Sequence, residues 1–248
     1  MIEEFDFIIR NSGERTTDLS FKYHQKLFPR ARLFLTGVPE NPQWQNLFLF
    51  IKELKRLTGP VLVIDSDIFL TRPSIVPELL ERAETTHHHL KSKVICKFMN
   101  SVYRGAYFFS SKIIEEMSAV LFDTNFDLTN RDFVIRPLRS IVVRSMTNLG
   151  LDSNNDSDDR NLGIHDFGQY RKHIFHKFIY RGWREGSAMS KNIESKLIEN
   201  SDLDYIAALE GLKYSSSTTP SHLGHRDVSS VFNDLGIEEK QSVISKIE

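Results

Sequence analysis

The chain has 248 residues, of which 40% are hydrophobic and 26% charged, with a formal net charge of −1. A chain of this length buries roughly 70–75% of the surface that its unfolded form exposes, so one domain with a full core needs no staples. The near-neutral balance argues against a nucleic-acid partner, which normally meets a basic surface. The single cysteine, Cys96, excludes an internal disulfide framework and fits a reducing compartment.

The opening Met1-Ile2-Glu3-Glu4 is acidic and lacks the charged-then-apolar pattern of a leader. No apolar run approaches the ~20 residues that span a bilayer. The expected location is the cytoplasm, with contact at the inner face of a membrane as a further expectation. Phe5 to Ile9 reads as a first strand, followed by a polar loop from Arg10 to Thr16. Thr17 or Asp18 is positioned to cap a helix carrying Leu19, Tyr23 and Leu27, which Pro29 closes. Arg32 to Thr36 is a second strand. A helix is expected from Trp44 to Leu57, ending at Gly59-Pro60, and Val61-Leu62-Val63-Ile64 reads as a strand buried on both faces.

Ser74 is the expected cap of a helix from Ile75 to Ala83, and His87-His88-His89 is expected in an exposed turn. Val94 to Phe98 is a fourth strand, with Cys96 a buried thiol. Gly105 to Ser110 is a fifth, followed by a helix from Lys112 to Leu121. This alternation predicts an α/β fold with a mainly parallel sheet flanked by helices. Beyond Asp123 a short helix is expected at Arg131 to Leu138 and a strand at Ile141 to Val143. Leu151 to Gly163, rich in Asp and Asn, reads as a mobile acidic loop. Helical spacing returns with Phe167, Tyr170, Ile174 and Phe178. The expected division is a main domain over 1–213, a linker over 214–226 and a short helical tail over 227–248.

Asp65-Ser66-Asp67 directly follows the buried strand. Ligands of open α/β sheets collect outside the carboxyl ends of the strands. In extended backbone, residues two apart face one side, so both carboxylates can converge on one cation. Two like charges so close need neutralising, which a hard divalent ion, Mg²⁺ or Mn²⁺, accomplishes while bridging to a diphosphate. A solvated turn at a strand end is the plainer alternative.

Val61 to Asp67, with Leu70-Thr71-Arg72-Pro73 after it, resembles the D-x-D segment of GT-A-fold glycosyltransferases, and the chain from about Phe5 to about Arg184 is similar to the family-two-like members. The resemblance implies transfer of a sugar from a nucleoside-diphosphate donor, a UDP-sugar first among them, to a glycan or glycolipid hydroxyl in a bacterial surface-polysaccharide pathway. It implies that Asp67 ligates the metal directly and that Asp65 faces the ribose and reaches the metal through water. Arg10, Asn11 and Arg15 fall where such enzymes begin their nucleotide pocket, and Gly105 falls in the segment lining the donor-sugar cleft. In the same way His165 stands as a third metal ligand, at the start of an aromatic-basic helix. Asp132 stands as the base of an inverting reaction, with Asp123 and Asp127 nearby. Where an acidic pair is usual, this chain has Arg131-Asp132.

The basic residues from Arg171 to Arg184, Lys177 and Arg181 included, read first as a solvated face and otherwise as a seat for a diphosphate or an anionic lipid-linked acceptor. Trp44 and Trp183 are either amphipathic-helix residues or sugar-stacking rings. Two other functions stay open: a non-catalytic sugar-nucleotide-binding module of the same fold, and a haloacid-dehalogenase-like phosphohydrolase. The latter normally carries its D-x-D on the first strand and a Thr or Val where this chain has Phe69.

Overall fold

The structure, a computed structural model, describes residues 2–11, 13–37, 53, 56–86, 89–98, 102–123, 156–185, 188–200, 202–218 and 225–240. Among these residues seven strands form one sheet: β1 (Asp6–Asn11), β2 (Arg32–Gly37), β3 (Val61–Asp65), β4 (Phe69–Leu70), β5 (His89–Cys96), β6 (Val102–Phe109) and β7 (Asp156–His165), in the order β2-β1-β3-β6-β5-β7-β4. β1 pairs in parallel with β2 and β3, and β5 with β7, whereas β6 and β4 run against their neighbours. Five strands therefore point one way, and the expected α/β architecture is present.

The helices among the described residues are α1 (Thr17–Leu27), α2 (Val76–Thr86), α3 (Ser111–Asp123), α4 (Arg171–Glu185), α5 (Ala188–Asn200), α6 (Leu203–Ser217) and α7 (His225–Asp234). Among the described residues, two apolar clusters hold these elements together. The first packs Phe7, Ile9, Leu62 and Ile64 from β1 and β3 against Leu79, Leu80 and Ala83 of α2. The second joins Cys96 and Phe98 to Ile174, Phe175 and Phe178 of α4, Ile193 of α5, Ala207 and Leu212 of α6 and Phe232 of α7. Each fully buried Phe or Leu contributes ~2–3 kcal/mol of transfer free energy, so the helical half is anchored rather than appended. Gly211 lets α4 and α6 meet: a Cβ there would lie 2.3 Å from the Phe175 carbonyl oxygen. Asp202 caps α6, accepting from the Asp204 N–H at 2.9 Å.

Helix α1 shows that the sheet is curled. It lies between β1 and β2 in the chain, yet it bonds β4 at the far end of the strand order. Tyr23 donates to the Leu70 carbonyl at 2.8 Å, and the Leu70 N–H donates to His24 Nε2 at 3.4 Å. β4 in turn pairs antiparallel with β7, Phe69 with Ile164 and Leu70 with Gly163. Gly163 is required there, since a Cβ would fall 2.3 Å from the Phe69 carbonyl oxygen.

Several expectations are corrected. The acidic stretch expected as a mobile loop is strand β7 from Asp156 onward. Its carboxylates are neutralised across strands and helices: Asp158 meets Arg82 and Arg160, Asp159 meets Lys93, and Arg160 also meets Glu78. The N-cap position of α1 falls at Thr16, one residue earlier than expected, and its side chain makes no capping hydrogen bond. His89, expected in an exposed turn, begins β5 and stacks on Phe109. Tyr214 to Ser217, expected to open a linker, complete α6, and helix α7 begins at His225, ahead of the expected tail. Helix α5 had no clear sequence signal. Most of the expected helix from Trp44, the segments at Arg131 and Ile141, and Asp127 and Asp132 lie outside the described residues.

Candidate metal and nucleotide site

The carboxyl ends of β1, β3, β5 and β7 share one edge of the sheet, and they deliver Asn11, Asp65, Cys96 and His165 there. The segment after β3 is a turn, closed by the Ile68 N–H donating to the Asp65 carbonyl at 3.0 Å. Asp65 and Asp67 therefore converge through a turn and not, as expected, through extended backbone. Ser66 is the pivot. Its N–H donates to the Arg10 carbonyl at 2.8 Å, and its hydroxyl donates to Glu14 Oε2 at 2.8 Å. Thr16 Oγ1 donates to the Ser66 carbonyl at 3.1 Å and Thr17 Oγ1 lies 3.2 Å from Ser66 Oγ. The start of α1 thus clamps the D-x-D turn.

The other half of the site follows from β4. Because Phe69 pairs with Ile164, the residues just before β4 face those just after Ile164. The Phe167 N–H donates to the Asp67 carbonyl at 3.4 Å, and His165 Nε2 stands 3.5 Å from Asp67 Oδ2. Gln169 Nε2 donates to that same oxygen at 2.7 Å, and Lys177 Nζ of α4 stands 3.2 Å from it. Asp166 holds a left-handed backbone with φ of 63°, which aspartate tolerates at a modest cost. That conformation brings its carboxylate against His165 Nδ1 at 3.1 Å, the Cys96 thiol at 2.9 Å, Arg181 at 3.5 Å and Lys177.

These groups are buried and charged, and their electrostatics follow from the neighbours. Burial alone would lower the His165 pKa, yet the Asp166 and Asp67 carboxylates raise it to about 10. Burial opposes ionisation of Asp67 and Asp166, but the cations win. Lys177 and His165 pull Asp67 below its ordinary value, and His165, Lys177 and Arg181 pull Asp166 well below. Metal ligation by His165 would release a proton from Nε2.

Ligand atoms of Asp65, Asp67 and His165 all lie within 4.8 Å of one another. Ligands on opposite sides of an ion bonded at about 2.1 Å lie about 4.2 Å apart, so a sub-ångström contraction closes the set. Two carboxylates with one imidazole suit Mn²⁺ better than Mg²⁺. Asp166 stands behind His165 on its other ring nitrogen, the arrangement that orients metal-binding histidines. Gln169 Oε1 is buried beside the set with no hydrogen-bond partner among the described residues. The donor set and its supporting shell fit a divalent ion.

Other expected residues are distributed as follows. Arg10 lies beside Asp65 in the β1–β3 register, pairs with it at 2.7 Å and stacks over the Tyr107 ring. Burial raises the Tyr107 hydroxyl pKa. Asn11 Oδ1 accepts from the Gly13 N–H and the Thr17 hydroxyl, which shapes the loop. Arg15 donates to the Gly168 carbonyl at 3.2 Å and so ties that loop to the turn after β7. Gly105 is buried in β6, whose pairing with β3 runs toward this edge. His165 ends β7; it does not open a helix, which starts only at Arg171. Trp183 donates to the Ser215 and Thr218 carbonyls, a packing role.

The expected solvated face of α4 is also corrected. Lys177 and Arg181 turn inward, and Arg171 pairs with Asp204. Their spacing carried a signal, since Lys177 and Arg181 sit four apart beside the apolar Ile174 and Phe178. Glu14, Asp166 and Gln169 had no such signal.

No family model matches the chain, and no curated protein matches it in sequence. Among solved structures, one described as a glycosyltransferase involved in the glycosylation of the major capsid of PBCV-1 is similar at a TM-score of 0.41 and 9% identity, over 66% of this chain and 96% of that one. Among the described residues no helix is long and apolar enough to cross a membrane.

Proposed function

We propose that this protein is a metal-dependent glycosyltransferase that moves a sugar from a nucleoside-diphosphate donor, a UDP-sugar first, to a hydroxyl of a glycan or glycolipid. One observation carries the reading. Asp67 and His165, from two distant segments, meet at 3.5 Å on the carboxyl edge of the sheet, with Asp65 alongside and Asp166 behind the histidine.

In this reading Asp67 and His165 would hold Mn²⁺ or Mg²⁺ directly with Asp65 in support, and the ion would supply positive charge against the departing diphosphate. Asp166 fixes the ring of His165, and Gln169 fixes the Asp67 carboxylate. Arg10 holds Asp65 and, with Asn11 and Arg15, borders the seat of the nucleotide. Gly105 admits the sugar close to backbone. The sugar–phosphate bond breaks as the acceptor oxygen bonds the anomeric carbon. Asp132 takes the acceptor proton in an inverting reaction. A cytoplasmic place in surface-polysaccharide synthesis, at the inner face of a membrane, suits a lipid-linked acceptor.

The test is a thermal-shift screen of UDP, GDP and their sugars, with and without Mn²⁺. Ligands that bind the native state raise its apparent stability. A nucleoside diphosphate should stabilise the protein only with metal, and Asp67→Ala should abolish that shift. Equal shifts in the variant would sink the assignment. Metal-dependent binding with no turnover across a broad acceptor set would identify a sugar-nucleotide-binding module instead.

A further inference from the structure

The ammonium of Lys177 occupies ground that a metal would need. It stands 3.2 Å from Asp67 Oδ2 and 3.5 Å from His165 Nε2, atoms of the two residues that would hold an ion directly. Its remaining contact is the closest of the three, to Asp166 Oδ1, which belongs to none of Asp65, Asp67 and His165. A divalent ion bonded at about 2.1 Å to both ligand atoms would sit within a few ångströms of this positive charge. In a buried site that repulsion is weakly screened. The ion and the ammonium therefore compete for the Asp67 carboxylate.

We propose that Lys177 is the resident counter-ion of the metal site: its ammonium neutralises Asp67 until a divalent ion arrives, and the ion enters by driving it off Asp67 while it stays on Asp166. This rests on the metal-site reading above. Three features make the exchange feasible. Lysine carries its charge on a flexible four-carbon stem. The side chain is 21% exposed, so it borders solvent. Asp166 is already committed to cations, with Arg181 one turn along α4 at 3.5 Å, and its backbone points its carboxylate toward both. Without Lys177, metal-free Asp67 would be left with Gln169 and His165 as its side-chain partners.

The test is Mn²⁺ binding alone, by titration calorimetry and by electron paramagnetic resonance of the free ion. Wild type, Lys177→Met and Lys177→Arg are compared, each with and without Asp67→Asn. Lys177→Met should bind Mn²⁺ at least about tenfold more tightly than wild type. Lys177→Arg should not gain, and Asp67→Asn should remove binding throughout. Equal or weaker binding by Lys177→Met, with the Asp67 dependence intact, overturns the counter-ion role and leaves the metal site standing. No Asp67-dependent binding in any variant overturns both. Because Lys177→Met strands a buried carboxylate and can misfold, the second measurement uses wild type with ¹⁵Nζ-labelled lysine. Saturating Mg²⁺ should shift the Lys177 ammonium resonance, assigned by its loss in Lys177→Arg; an unmoved resonance overturns the proposal.

Discussion

Asp67 Oδ2 and His165 Nε2 stand 3.5 Å apart because Phe69 pairs with Ile164. A two-residue strand, β4, thus welds the turn after β3 to the end of β7. Four consequences of this arrangement and of its surroundings can be measured.

Gly163→Ala should break the weld. The new Cβ would meet the Phe69 carbonyl oxygen at 2.3 Å, a backbone atom that cannot step aside. Overpacking of this kind costs about 1–3 kcal/mol. The loss should appear in urea denaturation, together with weakened Mn²⁺ binding, because Asp67 and His165 separate. Retained metal affinity would show that the register of β4 does not position the ligands.

Asp166→Asn isolates the group behind His165. Asparagine accepts the left-handed backbone that Asp166 adopts, so the turn is kept, while the lost charge strips His165, Lys177 and Arg181 of a shared carboxylate and should also cost about 3–5 kcal/mol of stability. Loss of a second-layer carboxylate typically weakens metal affinity by about 10–100-fold. Calorimetric titration with Mn²⁺ is the measurement, with circular dichroism as the control for folding.

His24 predicts how stability depends on acid. It is buried in α1 against Phe7, Tyr23 and Phe69. Burial lowers its pKa to about 4, a shift that the Ser20 carbonyl only partly offsets. Above the unfolded value near 6.5 neither state binds the proton; below it the unfolded state does and the native state resists. Stability should therefore fall as pH drops from about 6.5 to about 4, by about 2–3 kcal/mol at 1.36 kcal/mol per unit. Urea midpoints at pH 7 and pH 4.5 check this, and His24→Gln should show a smaller difference between them.

Asp204 and Lys240 should respond very differently to substitution. Asp204 is buried beneath Lys97 and Lys240, both at 2.6 Å, and Arg171 at 3.2 Å. Removing its charge with Asp204→Asn leaves three crowded cations and should cost about 3–5 kcal/mol. Lys240 is the expendable partner. Burial lowers its pKa despite the Asp204 bond, whereas bonds to Asp202 and Asp204 raise that of Lys97 against the same burial. Lys240→Met should thus cost less than Lys97→Met in thermal melts.

The sequence by itself determined the strands that begin the fold. Phe5 to Ile9 and Val61 to Ile64 are apolar runs that can only be buried, and an acidic triplet after one of them belongs at a ligand edge. It also singled out Asp65, Asp67 and His165, which the fold brings together. Only the tertiary structure decided that the acidic stretch before His165 is strand β7, since Arg82 and Lys93 reach its carboxylates from other elements. In the same way it turned Lys177, Asp166 and Gln169 onto Asp67 and His165. Local patterns report which side of an element is apolar. Which charge ends up beside which is set by strand register and helix packing between residues far apart in the chain.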